Sequence, residues 1–248
     1  QTCALPIFDS ALTANGPISV YGGNVYVNQN LTSNGSSALQ GIYLKSTDNI
    51  KTATTTNLQT NGGDITLWSD SDANGGYIYL TDGAALDSRT NANRALSLTS
   101  TATGGGAITL GGGSTGTTLA SGTVVPTGYA WQNTGSLASG VQFGSETGSS
   151  HNSNVKLYSG GGDVLVRGKS STVYGSESQG ISAYEGLTVY AGQSGGITFD
   201  GQSTGAASYG SGIYLGRRSS GNTATSLLST SNGNISFTGT AKIGRAHV

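Results

Sequence analysis

One cysteine, Cys3, stands in 248 residues, so no disulfide can close within the chain. That economy is compatible with export but does not require it. Methionine is absent, proline occurs three times, and charged residues make up only 9% of the chain. No basic cluster exceeds the pair Arg217-Arg218, which excludes the footprint of a nucleic-acid-binding protein. No apolar run approaches the roughly 20 residues of a spanning helix, so membrane insertion by a helix is excluded. A basic amphipathic stretch suited to a membrane surface is missing too. Periodicity near 3.6 residues is absent over any useful length, and the expected helix content is close to nil.

What is present is glycine, 42 residues of it, together with short apolar triplets that recur among Ser, Thr and Asn. A disordered chain tends to carry high net charge and few such triplets, whereas this one has a net charge of −1. Ile65-Thr66-Leu67, Ile197-Thr198-Phe199 and Ile235-Ser236-Phe237 alternate apolar and polar residues, the period of a strand with one buried face.

The triplets belong to repeats. Gly41-Ile42-Tyr43-Leu44 to Gly62-Gly63-Asp64-Ile65-Thr66-Leu67 returns as Gly212-Ile213-Tyr214-Leu215 to Asn232-Gly233-Asn234-Ile235-Ser236-Phe237. Leu58 and Leu228 each precede the closing isoleucine by 7 residues. Looser copies run from Ile78 to Ile108 and from Val141 to Val164, and a compressed one lies within Gly180–Phe199. From opening to closing hydrophobe the spacings are 23, 30, 23 and 22 residues, a period that marks a solenoid.

The two ends read differently. Residues 1–7 can be encoded by CAG ACG TGT GCT CTT CCG ATC, and the reverse complement of that string encodes Ile243-Gly244-Arg245-Ala246-His247-Val248. Residues 1–7 and 242–248 are therefore expected to be translated sequencing adapter, to be set aside before the fold is considered. That leaves 8–241 as one repeat array, with an irregular stretch over about 111–140 expected to loop away from the solenoid.

Three triplets per copy, separated by Gly/Asn/Ser turns, suit a coil of three short parallel strands. Each strand would stack on its equivalent about 4.8 Å away. The expected fold is all-β: a single-stranded parallel β-helix, right-handed by the usual crossover preference. Coils of about 20–25 residues would make about ten turns and a rod near 50 Å long.

Gly-Gly-Asp-Ile-Thr-Leu at 62–67, Gly-Gly-Asp-Val-Leu-Val at 161–166 and Gly-Asn-Ile-Ser-Phe at 233–237 resemble the repeats of filamentous-haemagglutinin-like exoproteins. Those are large bacterial adhesins secreted by the two-partner route. The resemblance covers most of residues 16–240 and is one of repeat style. It implies an extracellular or cell-surface shaft, an outer-membrane transporter as partner during secretion, and host or environmental glycans or proteins as contacts.

Candidate chemistry is sparse. Asp70-Ser71-Asp72-Ala73-Asn74-Gly75 fits the opening of a calcium loop, with Asp70, Asp72 and Asn74 as metal ligands, but the bidentate acid expected at its twelfth position is Thr81. Such a hexapeptide also serves as a plain polar turn. Apart from calcium, no cofactor is expected. Tyr129 and Trp131, in the irregular stretch, are candidate ligand contacts, and Trp68 is either an outward residue or part of the core. A polysaccharide lyase or glycosidase is the alternative reading, with Asp64 paired to Asp163 or Asp200. Against that, an Asp before each strand is expected to serve its own turn. Lys156, Arg167 and Lys169 could form a small basic face, but three charges more often just keep a strand face soluble, and His151 has no metal-binding neighbours in sequence.

Overall fold

The computed structural model describes residues 7–96, 104–133, 139–145, 153–170, 177–184, 186–204, 209–216 and 225–241. The chain winds seven times through three sheets in fixed rotation. The first coil is β1 (Ile7–Phe8), β2 (Leu12–Ala14) and β3 (Ile18–Gly22), and the second is β4 (Val25–Val27), β5 (Leu31–Ser33) and β6 (Ile42–Ser46). The third is β7 (Ile50–Thr52), β8 (Asn57–Thr60) and β9 (Ile65–Trp68). The fourth is β10 (Ile78–Leu80), β11 (Ala85–Asp87), a one-turn helix α1 (Asn91–Arg94) and β12 (Ile108–Thr118), followed by β13 (Val124–Gly128) and β14 (Ala130–Trp131). β15 (Ser139–Phe143), β16 (Lys156–Ser159) and β17 (Val164–Lys169) make the fifth. β18 (Glu177–Tyr184), β19 (Thr188–Ala191) and β20 (Ile197–Ser203) make the sixth, and β21 (Tyr209–Gly216), β22 (Leu227–Thr230) and β23 (Ile235–Ala241) the seventh.

The first strand of every coil lies in sheet A, the second in sheet B and the third in sheet C, all coil-to-coil pairing being parallel. This is the expected parallel β-helix. Among the described residues the coils number seven and not about ten, because coil length is uneven. Ile18, Ile42, Ile65, Ile108, Val164, Ile197 and Ile235 share one register, so successive coils advance by 24, 23, 43, 56, 33 and 38 residues. Only the first coils have the bare solenoid length. Later ones carry insertions, and six steps of about 4.8 Å give a stack about 29 Å tall.

The Gly-x-Ile or Gly-x-Val stretches at 63–65, 106–108, 162–164 and 233–235 open sheet C strands, whereas Gly76-Tyr77-Ile78 opens β10 in sheet A. The two best-matching copies differ in phase, however. Gly41–Leu44 lies in sheet C, whereas Gly212–Leu215 lies in sheet A. Inward residues stack into rows, for example Leu31, Leu58, Leu86, Leu157 and Val189 in sheet B, each fully buried. Each such side chain contributes roughly 1.5–3 kcal/mol of burial.

A second row sits two residues on. Ser33, Thr60, Ser88 and Ser159 are inward-facing and buried, and each hydroxyl donates to a carbonyl of the turn that leaves sheet B. The acceptors are Gln40, Gly63, Gly106 and Gly162 respectively. Thr230 continues the row by donating to the carbonyl of Gly195 in the preceding coil. Tight turns at this corner bury carbonyls that no strand can reach, and the hydroxyl row satisfies them. The sequence carries that signal as a recurring Leu-x-Ser/Thr at 31–33, 58–60, 86–88, 157–159 and 228–230.

The irregular stretch leaves the three-sheet path as a hairpin and folds back over it. β12 leaves sheet C after Gly111 and turns back as antiparallel β13. The hairpin lies on the outer face of sheet C, while β14 rejoins sheet C beside β17. At residues 1–6 and 242–248 the expected adapter lies outside the described residues, as do His151 and Arg217-Arg218; Ile7 pairs with Tyr26 in sheet A.

Candidate binding groove on sheet C

One row of outward residues runs the length of sheet C: Ser19, Tyr43, Thr66, Thr109, Leu165, Thr198 and Ser236. The hairpin covers the middle of it. Trp68 is an outward residue, yet only 3% exposed, because β12 passes over it and the Gly113 carbonyl accepts its indole N–H at 2.7 Å. Lys45 Nζ lies 4.0 Å from the centre of the Trp68 ring. At the hairpin tip, Ser121 Oγ donates to Asp64 Oδ2 at 2.6 Å. At its base, Arg167 donates to the Thr127 carbonyl at 3.1 Å and the Tyr129 hydroxyl donates to Asp200 at 2.8 Å.

A cavity opens on each side of the tip. The larger, about 860 Å³, has Thr109, Leu165 and Thr198 on its floor, Leu119 to Ser121 on the hairpin side, and Asp64, Asp163 and Asn234 along the turns. The smaller, about 320 Å³, lies between Val124 and the rings of Tyr21 and Tyr43. Those rings are 5.8 Å apart, and Tyr21 is 67% exposed. Burial, with Tyr21 alongside, pushes the Tyr43 hydroxyl up to about 12, so it stays neutral. Ala38 and Asp64 line both cavities.

Asp64 and Asp163 precede matching strands two coils apart, with Ala107 between them in the row. Each carboxylate reaches the next coil and does not serve its own turn. Asp64 Oδ1 accepts from Ala107 N at 2.7 Å, and Asp163 Oδ1 accepts from Gly196 N at 2.8 Å. Sequence alone suggested the local turn because the neighbouring coil's free N–H is visible only once the register is known.

The calcium-loop candidates and the aromatic candidates turn out to be neighbours. Gly76 and Trp131 exchange backbone hydrogen bonds of 2.7 and 2.8 Å, and Asn133 donates to the Asn74 carbonyl. Asp70 Oδ1 accepts from Gly75 N at 2.6 Å, while Asp72 takes both the backbone N–H and the side-chain amide of Asn74. These carboxylates thus close their own turn, and among the described residues no group of three or more His, Cys, Asp or Glu could hold a metal ion. Tyr129 is committed to Asp200, and the Trp131 ring lies under Lys169 Nζ at 4.4 Å; neither is among the described residues that line these two cavities. Lys156 sits in sheet B, apart from Arg167 and Lys169 in sheet C, so the three form no common face.

Asp70 is 3% exposed, and burial pushes its carboxyl up to about 6 despite the Gly75 N–H; Asp72 adds to the rise and Lys169 opposes it. The folded value lies above the ordinary 3.8, so this residue's contribution to stability is full below 3.8 and lost as the pH rises through about 6. Asp70→Asn keeps the acceptor for Gly75 N and suits the backbone φ of +52°. Thermal melts are expected to show stabilisation by this substitution at pH 8 and none at pH 3.5. An equal shift at both pH values would contradict the assignment.

Fold and groove together define a parallel β-helical solenoid with one covered, grooved face. No protein-family model, curated protein or solved structure matches the chain.

Proposed function

We propose that the chain is the shaft of a large secreted or surface-exposed bacterial adhesin. Its work is mechanical and presentational: stacked coils hold a binding region away from the cell, with weak glycan or host-surface contacts along the rod. The observation that carries this reading is the set of inward rows through the seven coils, in which each strand on the three-sheet path pairs with its equivalents in the adjoining coils. Such an array extends by repetition and can form coil by coil after export as an unfolded chain. The Gly-Gly-Asp-Ile-Thr-Leu style supports the same reading by resemblance, including the two-partner route through an outer-membrane transporter.

A polysaccharide-active enzyme is the second reading, favoured by Asp64 and Asp163 lining one groove at two coil spacings, about 10 Å. An inverting glycosidase needs its carboxyls roughly 6.5–9.5 Å apart. Both oxygens of Asp64, however, already accept hydrogen bonds. The complete reading frame of the gene decides between the two. The shaft reading expects a far longer frame, with a secretion domain ahead of these repeats and a pore gene beside it. A short frame encoding little beyond these coils would overturn it.

A further inference from the structure

We infer that the outer face of sheet C, on either side of the β12–β13 hairpin tip, binds an extended, uncharged oligosaccharide; this deepens the shaft reading by placing its glycan contact. The two cavities on either side of the tip share one floor, since Ser19 and Tyr43 floor the smaller and Thr109, Leu165 and Thr198 the larger, all from the same register row. Between them Thr66, 1% exposed, is covered by the hairpin and lines neither cavity, whereas the Thr123 hydroxyl at the edge of the smaller cavity is buried and has no hydrogen-bond partner among the described residues. A buried hydroxyl left unpaired is costly, and one at a cavity edge marks a place where a polar ligand gains a hydrogen bond. Row positions recur every coil, about 4.8 Å, an interval comparable to one sugar residue.

The chemistry of the walls selects the ligand. Among the described residues lining either cavity there is no Lys, Arg or His, whereas Asp64 and Asp163 are present and the Asp163 side chain is exposed. A sulfated or uronic-acid chain would meet uncompensated negative charge, which disfavours it. Thr109, Thr198 and Asn234 offer neutral donors and acceptors, and the exposed Tyr21 ring gives a sugar face something to stack on.

The test is calorimetric titration of the chain with neutral hexasaccharides of glucose, mannose, galactose and xylose. Hyaluronan and a chitosan hexamer serve as the anionic and cationic arms. At least one neutral hexasaccharide is expected to bind and to be recovered uncut. Its affinity should fall roughly tenfold or more in each of two surface variants, Tyr21→Ala and Thr198→Arg, whose melting temperatures stay at the parent value. Absence of heat with every neutral hexasaccharide overturns the groove, as does binding confined to the charged arms or binding unchanged in both variants. None of those outcomes alters the gene-frame test of the shaft, so the two can fail separately.

Discussion

Gly201→Ala is expected to cost about 4 kcal/mol or more, enough to unfold the last coils. A Cβ at Gly201 would stand 2.0 Å from the Gly212 carbonyl oxygen and 2.7 Å from Ile213 Cγ1. Both Gly201 and Gly212 belong to rows. Gly168, Gly201 and Gly239 are in register in sheet C, and Gly180 and Gly212 in sheet A. The two rows meet backbone to backbone where the later coils are pinched, and Gly180 has equally little room, with Gln202 N at 2.3 Å from its would-be Cβ. Since the nearest obstacle is the Gly212 main chain, moving the Ile213 side chain does not help, and relief requires prying the sheets apart. Urea unfolding of Gly201→Ala beside Gly16→Ala, which has open space around it, measures the effect. A loss below about 1 kcal/mol at Gly201 would show that the sheets are not packed this closely.

Asp87→Ala should be nearly as damaging, at about 3–5 kcal/mol. Asp87 closes the outer face of sheet B by accepting from Arg89 at 2.9 and 2.6 Å and from Arg94 Nε at 3.2 Å. Arg89 is 8% exposed and its guanidinium lies 4.8 Å from the centre of the Tyr158 ring, in the next coil. Arg94, at the end of α1, also donates to the Thr60 and Arg89 carbonyls. Removing the one carboxylate therefore leaves two guanidinium groups with little water and no counter-charge. The pair itself stabilises less than its loss destabilises, so replacing Asp87, Arg89 and Arg94 together is expected to cost less than Asp87→Ala alone. Chemical denaturation of the single and triple variants checks that order, and the reverse order would contradict the burial of the cluster.

The solenoid was legible because its rows are written in the strands themselves. Ile65-Thr66-Leu67, Val164-Leu165-Val166 and Ile197-Thr198-Phe199 each carry the alternation, and the glycine-rich turns before them fix the start of sheet C. The phase was not legible, since Gly-Ile-Tyr-Leu serves sheet C at 41–44 and sheet A at 212–215. Nor was the coil count, because insertions hide inside the repeat. The hairpin escaped for a physical reason: Gly111-Gly112-Gly113-Ser114-Thr115-Gly116 lacks apolar alternation and becomes a strand only by pairing with β13 over Trp68. Leu-x-Ser/Thr was present in five coils and would have revealed the hydroxyl row. The groove was invisible until register placed Tyr43 and Thr198 on one line.

That register is the central claim, and a distance between spin labels tests it most directly. With Cys3→Ser removing the native thiol, labels at Thr32→Cys and Ser229→Cys occupy matching outward positions of sheet B. Gln59, Asp87, Tyr158 and Tyr190 mark the coils between them. Five coil steps predict a narrow separation of about 24 Å. A separation near 43 Å, where unbroken coils of about 22 residues would put the same two labels, would contradict the seven-coil stack.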